Sequence, residues 1–284
     1  MPQPPELAPG LYLVATPIGN LEDITMRAIR VLKQVDLIAC EDTRQTQKLL
    51  NHYEIEKPTI SYHQHNEASR AAELIEKLTA GARIAVVSDA GTPGINDPGF
   101  RLVALAIERD IPVIPIPGPA AFVSALVASG LPVASFAFRG FLPPKSSARR
   151  RELEQIRQSQ QIEIFYEAPH RIRETLEDMA RAFGPERRVV IARELTKIHE
   201  EFLRGAAADL LAQVLARGEL KGEIVLLIGP ASGEKSSLVN ISIRDRVGQI
   251  MREEKLDEKS GLKKVAKERG ISKSEAYRLL QAEK

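Results

Sequence analysis

Short apolar runs alternate with amphipathic helical patterns along most of the chain. Residues 11–15 and 84–87 have the length and branched side chains of buried strands, and apolar positions recur on one helical stripe in residues 23–35. Through residue 118 this alternation predicts parallel strands covered by helices on both faces of the sheet. The predicted strands are 11–15, 37–40, 59–62, 84–87 and 113–115, and the predicted helices are 23–35, 43–52, 67–80 and 98–109.

A second α/β pattern begins at residue 119 and ends near residue 232. Its predicted strands are 135–140, 162–166, 188–192, 199–203 and 223–228, and its predicted helices are 120–130, 148–159, 171–183 and 206–217. Residues 229–235 have the composition of a linker. We therefore predict two α/β domains, 1–118 and 119–232, followed by a small C-terminal helical segment, 233–284.

The C-terminal segment contains two helical patterns, 241–253 and 261–281. Residues 265–280 combine a helix, a turn at Gly270 and a serine-capped second helix, which is the layout of a helix-turn-helix. A helical segment used for dimerisation or packing fits the same pattern, so both interpretations stand at this point.

Length and composition exclude several classes of protein. The 284 residues, 43% hydrophobic and 27% charged, suffice for more than one hydrophobic core. The first ten residues lack the features of a targeting peptide, and the longest mostly apolar stretch, 120–138, is interrupted by Gly130 and Pro132. Cys40 is the single cysteine, and no Cys/His cluster has the spacing of a zinc site. We expect a globular cytoplasmic protein without a membrane span and without a metal.

The distribution of charge is more informative than its sum. The net charge is only +2, yet the last 44 residues hold 12 of the 40 Lys and Arg and only 8 of the 38 Asp and Glu. A second basic cluster follows Pro143-Pro144. Such clusters contact nucleic-acid phosphate or form an ordinary solvated face. The basic residues predicted to contact phosphate in this way are Arg44, Lys145, Arg149, Arg150, Arg151, Lys263, Lys264 and Lys273.

Two loops rich in glycine and proline follow predicted strands. They span residues 88–99 and 115–119. Glycine lets the main chain approach a ligand closely, and ligands of open α/β sheets bind outside the carboxyl ends of the strands. The loop at 15–25 lacks both the phosphate-loop and the dinucleotide-binding glycine patterns, which excludes common kinases, ATPases and dehydrogenases. The loops therefore predict a cleft for another small cofactor.

Seven motifs, in unbroken order, resemble one family. The chain is similar to the ribosomal small-subunit RNA methyltransferase I family, a branch of the tetrapyrrole (corrin/porphyrin) methylase superfamily. The motifs are Thr16-Pro-Ile-Gly-Asn-Leu-Glu-Asp-Ile-Thr25, Cys40-Glu-Asp-Thr-Arg44, Ser88-Asp-Ala-Gly-Thr-Pro93 with Asn96-Asp-Pro-Gly99, Pro117-Gly-Pro119, Gly140-Phe-Leu-Pro-Pro-Lys145, Phe165-Tyr-Glu-Ala-Pro-His-Arg171 and Ala192-Arg-Glu-Leu-Thr196.

The resemblance implies S-adenosylmethionine as cofactor and 2′-O-methylation of a cytidine ribose in 16S rRNA, either free or in the small ribosomal subunit. It also implies a two-domain fold with the cofactor in the interdomain cleft, and a homodimer. Porphyrin methylases carry Gly-Asp and Gly-Asp-Pro where this chain has Gly19-Asn20 and Gly91-Thr92-Pro93, which favours the RNA branch. Methylation of a small tetrapyrrole and a non-catalytic RNA-binding or assembly role remain the alternatives.

The predicted cofactor site combines the glycine-rich loops with segments of the second domain. The loops supply backbone groups that can reach the cofactor, and the resemblance implies the second-domain residues, including the strand edge at 223–224. The predicted cofactor-binding residues are Pro17, Gly19, Asp89, Gly91, Thr92, Pro93, Gly94, Pro117, Gly118, Pro119, Phe165, Tyr166, Glu167, Arg193, Glu194 and Leu195.

A ribose hydroxyl is a weak acid, so a nearby base or cation would assist the transfer. The catalytic candidates are Asp89, Glu41 and Lys197, with Asp42 and Glu167 also considered. Three of these carboxylates, those of Asp89, Glu41 and Asp42, have a structural alternative. Asp89 could hold its loop through backbone amides, and the pair at 41–42 could cap the following helix. The polar loop at 63–66 is either a substrate contact or a helix cap formed by Asn66.

Overall fold

A computed structural model describes residues 6–218, 220–231, 242–254, 256–269 and 271–282. It divides into two compact units, Met1–Pro230 and Ala231–Lys284. Most of the predicted linker, 232–235, and the predicted turn at Gly270 lie outside the described residues. No described helix is long and apolar enough to cross a membrane.

The first sheet of the larger unit has five parallel strands in the order β3-β2-β4-β1-β5. This arrangement confirms the parallel sheet that the alternating pattern predicts. The strands are β1 (Gly10–Val14), β2 (Leu37–Cys40), β3 (Thr59–Ser61), β4 (Arg83–Val87) and β5 (Val113–Ile116), and the helices between them are α1 (Met26–Gln34), α2 (Thr43–His52), α3 (Glu67–Thr79) and α4 (Phe100–Ile107).

Local side chains fix where α1 and α2 begin. The Thr25 hydroxyl accepts a hydrogen bond from the backbone N–H of Ala28, and the Asp42 carboxylate accepts one from the N–H of Arg44. Such caps satisfy backbone donors that have no partner within the helix. Because of the cap at Thr25, α1 begins three residues later than predicted, and residues 21–23 instead form a short 3-10 helix.

The second sheet also has five strands, in the order β6-β7-β10-β8-β9, but it is mixed. Only β6 and β7 are parallel, while β10 runs antiparallel to both β7 and β8. The strands are β6 (Phe136–Phe141), β7 (Ile162–Glu167), β8 (Arg188–Arg193), β9 (Glu201–Ala206) and β10 (Ile224–Ile228), and the helices are α5 (Ala121–Ala128), α6 (Ser146–Gln155), α7 (Ile172–Phe183) and α8 (Ala207–Arg217).

Each sheet is buried on both faces, so the larger unit has four hydrophobic clusters. Alternate residues of β4 point to opposite faces, with Ala85 and Val87 in one cluster and Ile84 and Val86 in the other. Strand β10 is divided in the same way, and all five of its residues are buried. Burial on both faces explains why these strands read as continuous apolar runs rather than as alternating patterns.

The smaller unit contains the helices α9 (Ile243–Glu254), α10 (Glu258–Arg269) and α11 (Lys273–Ala282), which pack around one apolar cluster. The Ser272 hydroxyl accepts a hydrogen bond from the N–H of Glu275 at 3.2 Å, so the predicted serine cap is present at the start of α11. The Asp257 carboxylate caps α10 in the same way, accepting from the N–H of Ser260 at 3.2 Å.

Candidate functional site

Three loops meet at the carboxyl edge of the first sheet because β4, β1 and β5 are neighbours there. Thr16 and Gly91, which follow β1 and β4, exchange backbone hydrogen bonds of 2.9 and 3.0 Å. The Thr92 hydroxyl donates to the carbonyl of Pro119, beyond β5, at 3.0 Å. These bonds join the loops into one wall.

Glycine is required at two points of this wall. Gly91 has a φ of +80°, a conformation that residues with a side chain adopt at an energetic cost. A Cβ atom on Gly118 would lie only 2.8 Å from the Cβ of Ala15, so this loop packs directly on the end of β1. The glycines therefore permit the close approach of the loops to one another.

A cavity of about 400 Å³ lies between this wall and the ends of β7 and β10. Its walls come from both halves of the larger unit, the first half containing the first sheet and the second half containing the second sheet. The lining residues are Ile18, Ala90, Gly91, Thr92, Ile95, Asn96 and Asp97 from the first half, and Ala120, Ala121, Phe122, Phe141, Tyr166, Glu167, Ala168, Pro169, Leu195, Glu223, Ile224 and Val225 from the second.

Aromatic contacts fix one wall of the cavity. The Tyr166 ring packs edge-on against Phe138 and Phe141, with centroids 5.0 and 5.6 Å apart. Phe122 stacks on Phe138 at 4.7 Å. Burial, and then the charge of Asp97, raise the pKa of Tyr166 to about 12, so its phenol stays neutral. The wall is therefore apolar and uncharged.

The cavity includes only part of the predicted cofactor site. Gly91, Thr92, Tyr166, Glu167 and Leu195 line it. The other predicted residues are not among those that line the cavity: Pro17, Gly19, Asp89, Pro93, Gly94, Pro117, Gly118, Pro119, Phe165, Arg193 and Glu194. The cavity is lined instead by Ala120 and Ala121, which follow Pro117-Gly118-Pro119 directly in the chain.

Two residues predicted to bind the cofactor, Phe165 and Arg193, have side chains that point away from the cavity, which corrects the prediction for these side chains. Phe165 is 1% exposed and packs in the core on the opposite face of β7, because successive residues of a strand alternate between faces. The Arg193 guanidinium donates to the carbonyl of Lys221 at 2.9 Å and to Glu201 at 3.3 Å. Both side chains stabilise the second sheet.

Glu167 lines the cavity, but its carboxylate serves the adjoining helix. One oxygen accepts hydrogen bonds from Arg171 and from the N–H of Ala168, and the other accepts one from Thr175 at 2.7 Å. The carboxylate is fully buried. Because all of these bonds lie at the start of α7, Glu167 holds that helix against the end of β7 and is not available as a base.

Asp42 caps a helix, as its structural alternative predicts, whereas Asp89 contacts the loop after β2 rather than its own loop. Asp89 is exposed and accepts a hydrogen bond of 3.0 Å from the backbone N–H of Asp42, which ties the ends of β4 and β2 together. Asp42 caps α2 and pairs with the Arg44 guanidinium at 3.0 Å. That hydrogen bond holds the pKa of Asp42 below its usual value.

Lys197 is held as a cation and does not line the cavity. Its ammonium donates to Glu194 at 2.9 Å and to Glu223 at 3.1 Å. Partial burial opposes ionisation, yet these two bonds raise the pKa of Lys197 above its usual value. A lysine that keeps its proton at neutral pH cannot accept one, so Lys197 is not a general base. Its stem instead packs on Gly19, where a Cβ would lie 2.5 Å from Cγ of Lys197.

Asp97 is the carboxylate that sequence reasoning missed. It lies in the predicted loop 88–99 and lines the cavity, half-buried. Burial, and then the like charges of Glu41 and Asp89, raise the pKa of Asp97 to about 6. Glu41 is half-buried itself, and burial and Asp89 raise its pKa although His63 opposes the shift. The motif containing Asp97 is visible in the sequence, but its exposure to the cavity is not.

The polar loop after β3 forms no helix cap. The Asn66 carboxamide accepts a hydrogen bond from the backbone N–H of His63 at 2.9 Å and makes no side-chain cap on α3. The capping alternative for Asn66 is therefore wrong. Its side chain instead closes the turn that contains His63 and His65, whose rings contact each other edge-on.

One predicted RNA contact, Arg149, is contradicted by its burial. Its side chain is 1% exposed, and its Nε donates to Asp178 at 2.8 Å, so it holds α6 to α7 instead of facing solvent. The neighbouring side chains on α6 differ because a helix turns about 100° per residue. Lys145, Arg150 and Arg151 are exposed, as are Arg44 and, in the smaller unit, Lys263, Lys264 and Lys273.

Comparison with known sequences relates the chain to one group of enzymes. Residues 10–211 match the family model of the tetrapyrrole (corrin/porphyrin) methylases. The chain is 47% identical over 278 residues to ribosomal RNA small subunit methyltransferase I of Halalkalibacterium halodurans, with 96% of this chain and 95% of the relative aligned. It is 52% identical over 225 residues to the protein of that name from Vibrio cholerae, with 79% and 78% aligned.

Solved structures share the fold at lower sequence identity. Cobalt precorrin-4 methyltransferase matches with a TM-score of 0.59 and 14% identity over 77% of this chain and 94% of that one. Uroporphyrin-III C-methyltransferase from Thermus thermophilus, in complex with S-adenosyl homocysteine, matches with a TM-score of 0.53 and 17% identity over 78% and 97%. These likenesses confirm the predicted fold class.

Proposed function

The chain belongs to the ribosomal RNA small subunit methyltransferase I family, and on this premise we propose that it methylates the 2′-oxygen of a cytidine ribose in 16S rRNA. Membership supplies the class, a methyltransferase of small-subunit ribosomal RNA that uses S-adenosylmethionine. The cytidine and the 2′-oxygen are the finer part of the proposal. The observation that supports the proposed methyltransferase activity is the cavity between the two sheets, because this cavity offers a place for the methyl donor.

The cavity fits S-adenosylmethionine in size and in chemistry. Its volume of about 400 Å³ lies in the range of small-molecule sites. The apolar wall around Phe122, Tyr166 and Ile224 suits an adenine ring, and the backbone of Gly91 and Thr92 presents polar groups without bulky side chains. The bound donor supplies an already activated methyl group, so the protein's main task is alignment with the acceptor oxygen.

The acceptor is tested by offering labelled S-adenosylmethionine with small ribosomal subunits, with free 16S rRNA and with a porphyrinogen in parallel. We expect label in RNA, at a cytidine whose 3′-phosphodiester resists alkaline cleavage because its 2′-oxygen is methylated. Label in the porphyrinogen alone would overturn the RNA assignment. Binding of the donor without transfer to any acceptor would favour the assembly-factor alternative.

We propose that RNA is held by the exposed basic residues Lys145, which precedes α6, and Arg151 of α6, and by Lys263 and Lys273 of the smaller unit. The variants Lys145→Ala/Arg151→Ala and Lys263→Ala/Lys273→Ala should each weaken RNA binding. Each should also reduce the slope of log affinity against log salt by about 1 to 2, since fewer counterions are released. Binding titrations across salt concentrations measure this, with the exposed Arg109→Ala as control. An unchanged slope for both double variants would refute the assignment.

The protein acts as a homodimer in this proposal. Large apolar side chains are exposed on two helices of the larger unit, with Phe100 82% and Ile107 61% exposed on α4 and Val127 73% exposed on α5. A second copy of the chain would remove them from water. The proposed place of action is the cytoplasm, where the ribosomal substrate is found.

A further inference from the structure

Three carboxylates line the cavity, and two of them are already committed. Glu167 is enclosed by Arg171 and Thr175. Glu223 accepts a hydrogen bond from the Lys197 ammonium at 3.1 Å, so this carboxylate is paired with a cation. The charged groups that act on the third, Asp97, are the carboxylates of Glu41 and Asp89 and no cation among the described residues. Asp97 is therefore the carboxylate in the cavity that is free to accept a proton.

Asp97 lies where the loop after β4 packs against the second sheet. The preceding residue, Asn96, has a φ of +63°, a left-handed conformation that asparagine adopts more readily than most residues with a side chain. The Asn96 side-chain oxygen occupies the space beside Gly140 of β6, where a Cβ would lie only 2.7 Å from it. The loop that contains Asp97 therefore packs closely on β6, and Asp97 lines the cavity beside this contact.

We propose that Asp97 is the general base that accepts the proton of the ribose 2′-hydroxyl during methyl transfer. The inference rests on the proposed function. The 2′-oxygen forms a bond to the methyl carbon, and the bond from that carbon to sulfur breaks. The sulfur keeps the electron pair, which gives the neutral thioether, and the hydroxyl proton passes to the Asp97 carboxylate.

The surroundings of Asp97 suit this role. The groups that act on Asp97 are the carboxylates of Glu41 and Asp89 and, through a hydrogen bond, Ser88. The charge of Asp97 in turn helps to raise the pKa of Tyr166, whose phenol stays neutral. The Asp97 pKa of about 6 leaves the carboxylate ionised at neutral pH and makes it more basic than an ordinary aspartate. Burial contributes most to this shift, and the two like charges add to it.

The first test is the variant Asp97→Asn, which keeps the size of the side chain and removes its basicity. Single-turnover transfer at saturating donor and acceptor should slow by about 100-fold, within the usual contribution of a general base. Calorimetry should give a donor affinity within about twofold of the parent. The matched control is Asp209→Asn, an exposed aspartate on α8, which should transfer at the parental rate. An Asp97→Asn enzyme that keeps a third or more of the parental rate would overturn the proposal.

The second test uses the pH profile and does not require a change at Asp97. The rate of the parent enzyme should fall below pH 6, as Asp97 becomes protonated. Glu41→Gln removes a like charge, which lowers the pKa of Asp97, so the acidic limb should move to lower pH. An acidic limb that stays in place would contradict the assignment, even if Asp97→Asn folds poorly. The proposed function is judged separately, by whether the parent enzyme methylates RNA, and the variants are compared on whichever acceptor the parent uses.

Discussion

Gly91→Leu should weaken the binding of S-adenosylmethionine by about 100-fold, equivalent to about 2.7 kcal/mol. Gly91 lines the cavity, and a Cβ at this position lies 3.3 Å from the Cγ2 of Ile18, another lining residue. The added side chain must either enter the cavity or displace Ile18, and overpacking of this kind typically costs about 1–3 kcal/mol. Isothermal titration calorimetry measures the change in affinity.

Gly81→Leu is the matched control for this variant. Gly81 has a φ of +91°, close to the +80° of Gly91, so leucine introduces similar backbone strain at both positions. A Cβ on Gly81 meets nothing within 4 Å, and Gly81 does not line the cavity. The control should therefore lose folding stability without a comparable loss of donor affinity. Equal donor affinities for the two variants would show that this cavity is not the donor site.

Glu167→Ala should lower the free energy of unfolding by about 3–5 kcal/mol, the range for removing one partner of a buried ion pair. The Glu167 carboxylate is fully buried, and its removal leaves the Arg171 guanidinium and the Thr175 hydroxyl without their acceptor. Unpaired buried groups of this kind keep their full cost of desolvation. Chemical denaturation followed by circular dichroism measures the loss.

Glu177→Ala provides the comparison on the same helix. Glu177 pairs with Arg173 at 3.3 Å, but this pair is largely exposed and four residues apart on α7. Such surface pairs contribute about 0–1 kcal/mol, so the control should be nearly neutral. If the two variants lost equal stability, Glu167 would not be the anchor of α7 described here.

The secondary structure was predicted well because it depends on local patterns. All ten strands and the helices of both units lie close to their predicted positions, since buried strands and amphipathic helices leave apolar periods in the sequence. The predicted ends of helices are less accurate where a side-chain cap decides them, as at the start of α1, which Thr25 caps. The mixed direction of the second sheet did not follow from the periods, because an apolar run such as β10 reads the same in either direction.

The role of individual charged residues could not be read from neighbouring positions in the sequence. Lys145 and Arg149 belong to one basic cluster, yet one is exposed and the other is buried against Asp178. Glu167 and Asp97 both occur in quoted motifs, and only their partners separate a helix anchor from a candidate base. Some of these partners lie far along the chain, such as Asp178 for Arg149, and even the near ones, such as Thr175 for Glu167, are brought into contact only by the fold.

The sequence by itself determined the strands, the helices, the loops rich in glycine and proline, and the family to which their motifs belong. These features depend on backbone conformation and on contacts between near neighbours in the chain. The tertiary structure alone decided which side chains face the cavity and which carboxylate in it has no cation beside it among the residues that the structure describes. Burial and long-range charge fix those properties, and both arise only when the ends of the two sheets come together.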